Sequence, residues 1–196
     1  GMVKWDVDRS KQCFLLRRSR DAEEVEHLLE DLQPMNVKEY SMGIRAFGQS
    51  KRWSRAVQLL DEMRAKDILP NVISFSTAIT ACEKCSQWKN ALEMLDDMCT
   101  ASLKADLITF NTAIAACAKG QQWQQAFTLF REMRAAGIAP DVLSFSTIIS
   151  VCEKCGHWQL ALSILNDMRK EGVFPNVITF SSAISACEKG GGHWEH

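Results

Sequence analysis

Apolar residues in this chain recur at spacings of three and four, in one stretch and then, after a polar break, in a second. Over residues 72–85 they are Val72, Phe75, Ile79 and Cys82; over 88–98 they are Trp88, Ala91, Leu92, Leu95 and Met98. That spacing puts the side chains on one face of a helix, so each stretch predicts an amphipathic α-helix. Ser86-Gln87, Gly120-Gln121 and Gly156-His157 read as short turns inside such pairs. Gly137 before Ile138-Ala139-Pro140, and Gly172 before Val173-Phe174-Pro175, read as stops after the second helix. Asn71, Asp106, Asp141 and Asn176 stand just ahead of the next stripe, where side-chain oxygens cap helix N-termini.

The pattern returns every 35 residues. Trp53, Trp88, Trp123 and Trp158 mark the interval, and so do Met63, Met98, Met133 and Met168. Ala56, Ala91, Ala126 and Ala161 form a third column; Cys82, Cys117, Cys152 and Cys187 a fourth; Phe75, Phe110, Phe145 and Phe180 a fifth. Full units run 37–71, 72–106, 107–141 and 142–176, and a partial fifth covers 177–196. One helical hairpin cannot bury its own stripe, whereas stacked hairpins bury it together, so the reading is all-α, an α-solenoid. Residues 1–36 stand apart as an N-terminal cap or degenerate repeat. Within them 21–32 resemble a second helix ending near Pro34, with six acidic residues, while 4–20 carry six basic and two acidic ones. Gly1-Met2 reads as a cleavage scar, and the stop inside the fifth unit as a cloning boundary. The expectation is a fragment of a longer protein, from which a targeting segment has been removed.

Composition narrows the picture. The 196 residues are 46% hydrophobic and 24% charged, enough for a folded core and too apolar for a disordered chain. No apolar run of about 18 residues occurs, so a transmembrane helix and a membrane partner are not expected. Twenty-three basic against 24 acidic residues give a net charge of −1, unlike a strongly basic nucleic-acid binder. Of six Trp, four are periodic, Trp194 is displaced by one residue, and Trp5 lies outside the array. The periodic four continue into the Ala-Leu-Met stripe, which makes them packing residues rather than a base-stacking platform.

The eight cysteines include the pairs Cys82/Cys85 and Cys152/Cys155, numerous enough for a zinc site. The pairs are two repeats apart, too far to share one metal, and the Cys82 column lies on the apolar stripe as small buried hydrophobes. No metal is expected. His27, His157, His193 and His196 are scattered, and the chain has no nucleophile motif or phosphate-binding loop. It reads as a non-enzyme without a cofactor.

The period, with the segments NVISFSTAITACEK, DLITFNTAIAACAK, DVLSFSTIISVCEK and NVITFSSAISACEK, resembles the pentatricopeptide repeat family. The first three segments are followed by a W-x-x-A-[LF]-x-[ILM]-[LF]-x-x-M second helix. The tetratricopeptide repeat, with a 34-residue period and a W-x2-L-G-x2-Y helix, fits neither feature. The resemblance implies a right-handed superhelix whose repeats each face one nucleotide of single-stranded RNA. It implies that bases are read by the fifth residues Ser41, Ser76, Asn111, Ser146 and Ser181 with the last residues Asn71, Asp106, Asp141 and Asn176. The second residues Ile73, Ile108, Leu143 and Ile178 would sandwich the bases; Lys38 departs from that aliphatic pattern. Lys84, Lys119, Lys154 and Lys189 would approach phosphates, although a cation at a helix C-terminus is also favourable in itself. The family's code implies the preference A-G-U-A. Glu83, Glu153 and Glu188 beside three of the lysines imply weak electrostatics.

The resemblance therefore implies a sequence-selective RNA-binding fragment of an organellar RNA processing or stability factor, in a mitochondrion or plastid. The competing reading is a protein-protein interaction scaffold of helical hairpins, favoured by the near-neutral charge.

Overall fold

The computed structural model describes residues 2–34 and 36–190, and for residues 2–8 the backbone alone. Trp5's side chain, Trp194, His193, His196 and Gly1-Met2 as a scar fall outside what is described. Among the described residues there are eleven helices and no strands. They are α1 (Met2–Arg18), α2 (Ala22–Leu32), α3 (Val37–Gln49), α4 (Trp53–Ala65), α5 (Val72–Lys84) and α6 (Trp88–Thr100). Then follow α7 (Leu107–Lys119), α8 (Trp123–Ala135), α9 (Val142–Cys155), α10 (Trp158–Lys170) and α11 (Val177–Lys189).

Why helices α3 to α10 stop in register is visible in the backbone. At the end of each first helix the N–H of Arg52, Gln87, Gln122 and His157 donates back to the carbonyls of Phe47, Cys82, Cys117 and Cys152, each at 2.9 Å. The residue before each donor is left-handed: Lys51 at φ 59°, Ser86 at 58°, Gln121 at 56° and Gly156 at 72°. Second helices end the same way. Ile68, Leu103, Ile138 and Val173 donate to the carbonyls of Met63, Met98, Met133 and Met168 at 2.9–3.1 Å. Their left-handed residues are Asp67, Ser102, Gly137 and Gly172. This six-to-one bond is the Schellman motif. The Cys and Met columns thus mark where each helix closes as well as what it buries. Gln121, not Gly120, takes the left-handed turn that the sequence suggested for the pair.

The chain divides into two compact units, one up to Ala105 and one from Asp106. In the first, α1, α3 and α5 form a row of first helices, with α2 packed on α1 and α3, and α4 on α3 and α5. In the second, α7, α9 and α11 form the row, α8 packs on α7 and α9, and α10 on α9 and α11. Between the layers lie the periodic columns. Ala56, Ala91, Ala126, Ala161 and all four periodic methionines are fully buried, as are Cys82, Cys117, Phe75 and Phe145. Burying such a side chain stabilises the fold by roughly 1.5–3 kcal/mol. Cys187 departs from the expected burial: it is half-buried, and Phe180 is exposed, because among the described residues only α9 and α10 pack on α11.

The tryptophans are half-buried at the starts of second helices. The Trp123 ring packs against His157 with centroids 4.3 Å apart and the planes tilted by 55°. Trp158 lies against Gly190, where an added Cβ would sit 2.1 Å from its ring. Within this unit each of these two Trp side chains packs at the end of the next repeat's first helix, as a packing residue does.

Candidate nucleic-acid interface

Each first helix except α1 opens on a side-chain cap. The Oδ1 atoms of Asn36, Asn71, Asp106, Asp141 and Asn176 accept the backbone N–H three residues on, at 2.8–3.0 Å. The last residue of each full repeat therefore caps the helix of the following one, which fixes its side chain against the backbone.

The third residue of the frame adds a second tie. Ser74, Thr109, Ser144 and Thr179 have no solvent exposure. Their hydroxyls donate to the cap oxygens of Asn71, Asp106, Asp141 and Asn176 at 2.7–3.1 Å. The same hydroxyl meets the fifth residue of the preceding repeat. Ser144 Oγ lies 2.6 Å from Asn111 Oδ1, Thr179 Oγ1 lies 3.1 Å from Ser146 Oγ, and Ser74 Oγ lies 3.3 Å from Ser41 Oγ. A buried hydroxyl thus links the two side chains implicated in base reading. Sequence reading passed over this column, since alternating Ser and Thr near a helix start looks like ordinary polar filling. Its regular 35-residue recurrence was the available signal.

At the third repeat the linkage fixes an amide. Asn111 is buried, and its Nδ2 donates to Asp141 Oδ1 at 3.2 Å while its Oδ1 faces the Ser144 hydroxyl. An ionised carboxylate only accepts, so the amide nitrogen must face Asp141. Burial raises the Asp141 pKa, but bonds from the Ser144 backbone and hydroxyl and from Asn111 outweigh it and hold the carboxyl below its ordinary value. Asp141 is therefore ionised at neutral pH. One Nδ2 proton and the second carboxylate oxygen are left for a ligand.

Among the serines, Ser146 Oγ donates to Val142 O at 2.6 Å, Ser41 Oγ to Val37 O at 2.8 Å and Ser76 Oγ to Ile73 O at 3.2 Å. A hydroxyl that donates there is left as an acceptor, and for Ser41 and Ser146 its oxygen faces the Ser74 and Thr179 hydroxyls. Ser181 is exposed. Ser76 and Asp106 fall in different units.

The second positions are apolar yet exposed. Ile73 is 58%, Ile108 69%, Leu143 60% and Ile178 65% accessible, in the same register of successive first helices. Lys38 is exposed in that register too. Single exposed aliphatics are ordinary, but a ladder of them one residue from the helix start and two from the polar linkage is not.

Lysines of the expected phosphate ladder are exposed, and Lys189 is engaged. Lys189 Nζ pairs with Glu153 at 3.0 Å, and Glu153 also accepts from Ser185 at 3.0 Å. Burial raises the Glu153 pKa, but Lys189 and the Ser185 and Ser182 hydroxyls lower it further. The acid expected merely to weaken the groove is bound to the lysine of the next repeat. Among the described residues no group of three or more His, Cys, Asp or Glu could hold a metal. Burial pushes the Cys82 thiol up to about 12 and the Cys152 thiol up to about 11, so neither is a thiolate at neutral pH. No helix among the described residues is long and apolar enough to cross a membrane.

These features define a helical-hairpin repeat protein with a regular polar and aliphatic row on its first helices. A family model described as the PPR repeat family matches residues 70–119, 105–154 and 140–189, and one described as the pentatricopeptide repeat domain matches 27–84. The chain belongs to the pentatricopeptide repeat family. No curated protein matches it at a significant level. Among solved structures, PPR10 from maize is 24% identical, with a TM-score of 0.72 over 91% of this chain and 27% of that one. PPR10 in complex with an 18-nt psaJ RNA element is also 24% identical, with a TM-score of 0.75 over 90% of this chain and 26% of that one. The PPR domain of Arabidopsis thaliana protein-only RNase P 1 in complex with tRNA is 13% identical, with a TM-score of 0.73 over 95% and 96% of the two chains. These likenesses establish the α-solenoid fold. The chain spans about a quarter of the length of PPR10.

Proposed function

We propose that the chain binds single-stranded RNA selectively, one base per repeat, through the four full repeats 37–176, flanked by 1–36 and the half-repeat 177–196. The observation that carries this reading is the coincidence of two rows in one register. Exposed aliphatics at the second positions offer faces for flat rings, and tied polar pairs at the fifth and last positions offer fixed donors and acceptors. At the third repeat, Asn111 and Asp141 together present one N–H and carboxylate lone pairs, a pattern suited to the carbonyl and N3–H of uracil. Ser41 with Asn71 and Ser146 with Asn176 supply two further pairs, and the family's code, read with Ser76 and Asp106 as the second repeat's letters, gives a preference of A-G-U-A. RNA partners named for the similar PPR10 and RNase P structures support RNA as the ligand class. The same likeness supports an organellar RNA processing or stability factor, in a mitochondrion or plastid, with this chain as its non-catalytic binding part.

Replacing Asn111 by Ser tests the assignment. The expected result is a shift of preference at the third base from U toward G, by about five- to tenfold, the size of one hydrogen bond in this setting. An unchanged preference, measured by titrating RNAs that differ only at that base, would remove Asn111 from base reading.

The protein-scaffold reading draws on the Lys189–Glu153 pair, which neutralises part of the cationic ladder. It predicts no binding of RNA above the background seen with scrambled sequences.

A further inference from the structure

The first repeat differs from the others in its surroundings. Beside it is a cavity of about 590 Å³ bounded by α1, α3 and the start of α5. Ser41, Asn71 and Ile73 line it, so it coincides with the first proposed base site. Arg17, Lys38 and Arg45 also line it, and its lining includes no carboxylate. Among the described residues none of these three cations forms a salt bridge; the Arg17 Nε sits 3.4 Å from Met42 Sδ, a weak contact. Elsewhere Arg55 is held by Glu26 and Glu62, Arg64 by Asp61 and Asp97, Arg134 by Glu171 and Lys189 by Glu153. Cations that stay unpaired around one cavity, in a chain of net charge −1, mark a place where an anion is the natural counterpart.

Helix α1 is built into this place rather than lying loosely beside it. Arg9 binds Glu39 through two bonds of 2.7 and 2.5 Å, and both side chains are largely buried. Glu39 is the third residue of the first repeat, where later repeats have Ser or Thr. The position that ties polar pairs together elsewhere is used here to seat α1. Leu16 is fully buried, which fixes the last turn of α1 and delivers the adjacent Arg17 to the cavity. Lys38 replaces the aliphatic ladder at this one repeat, exchanging a ring-covering side chain for a charge.

We propose that Arg17, Lys38 and Arg45 form a phosphate-binding site at the first repeat, with α1 as part of the interface, holding the backbone phosphates that flank the base at Ser41 and Asn71. The site gathers three cations and no carboxylate at one base position, which makes it an electrostatic anchor for the strand. This inference rests on the RNA-binding reading above.

The test is a salt titration of the whole chain with fluorescent single-stranded RNA containing AGUA. Wild type is compared with R17Q, R45Q, the double variant R17Q/R45Q, and R131Q as a control cation on α8. Thermal melts confirm that each variant is folded. For single strands each lost phosphate contact lowers the log–log slope by about 0.7, so the double variant should lose about 1.4 and bind about tenfold more weakly at low salt. R131Q should match wild type, and the ratio of AGUA to scrambled affinity should be unchanged throughout. The family resemblance implies that RNA runs 5′ to 3′ from the first repeat onward, so the RNA is supplied with a 5′-hydroxyl, with a 5′-phosphate and with an upstream extension. An effect on the phosphorylated core identifies a terminal phosphate, and one confined to the extended RNA an internal phosphodiester; either supports the site. Equal slopes for wild type and the double variant, or an equal loss with R131Q, overturn it while leaving the RNA-binding reading standing. Absence of any RNA binding by wild type overturns both.

Discussion

A single hydroxyl decides how firmly each candidate reading pair is held. Ser144 Oγ lies within hydrogen-bond reach of both Asn111 and Asp141, yet it carries one proton and can serve only one at a time. Its removal leaves Asn111 Oδ1 without its buried donor and frees the amide to rotate. Ser144→Ala should therefore lower stability by about 1–2 kcal/mol, and, beyond that, reduce discrimination at the third base severalfold. Ser144→Thr, which restores the hydroxyl as in Thr109 and Thr179, should recover both. Chemical denaturation with parallel RNA titrations reads the two effects. A loss of stability with discrimination intact would make the hydroxyl only a helix cap. The column was not singled out from the sequence because a Ser or Thr three residues after a cap has an ordinary local explanation. Its link to the preceding repeat exists only in three dimensions.

At the scale of the element, the repeat is a pair of helices closed by left-handed residues. Gly137 has φ 77° and no atom within 4 Å of an added Cβ, so Gly137→Ala isolates the backbone cost. It should destabilise by about 1 kcal/mol, read as a lower denaturant midpoint at unchanged slope. No change would mean that the turn relaxes to another conformation. Helix positions, caps, the buried Ala and Met columns and the half-buried Trp column were legible because a 35-residue recurrence reveals which spacing matters. The left-handed positions were legible only where glycine occupies them. Asp67 and Ser102 adopt the same geometry with residues that carry no such signal. The cross-repeat Lys189–Glu153 pair was also hidden: adjacent Glu and Lys along one helix do not say which partner lies across the groove. Cys187 and Phe180 show the converse limit, since membership of a column implies burial only where another hairpin covers it.

For the molecule as a whole, composition and organisation pull in different directions. A charge of −1 argues against a generic polyanion binder, and the ion pairs among repeats consume several cations. The proposed reading then assigns selectivity to base contacts and phosphate attraction to the cationic cavity beside α1. The family and solenoid fold were readable from period and columns together. That cavity was not, because Arg17, Lys38 and Arg45 come from two helices whose packing no spacing reveals. The central claim is a base-by-base reader, and the most direct measurement is the affinity of this chain for RNA containing AGUA against scrambled RNAs of equal length and composition at one fixed salt concentration. Polar pairs tied at the first, third and fourth repeats predict at least about tenfold tighter binding to AGUA, the equivalent of one or two hydrogen bonds. Equal affinity for all the sequences would contradict it.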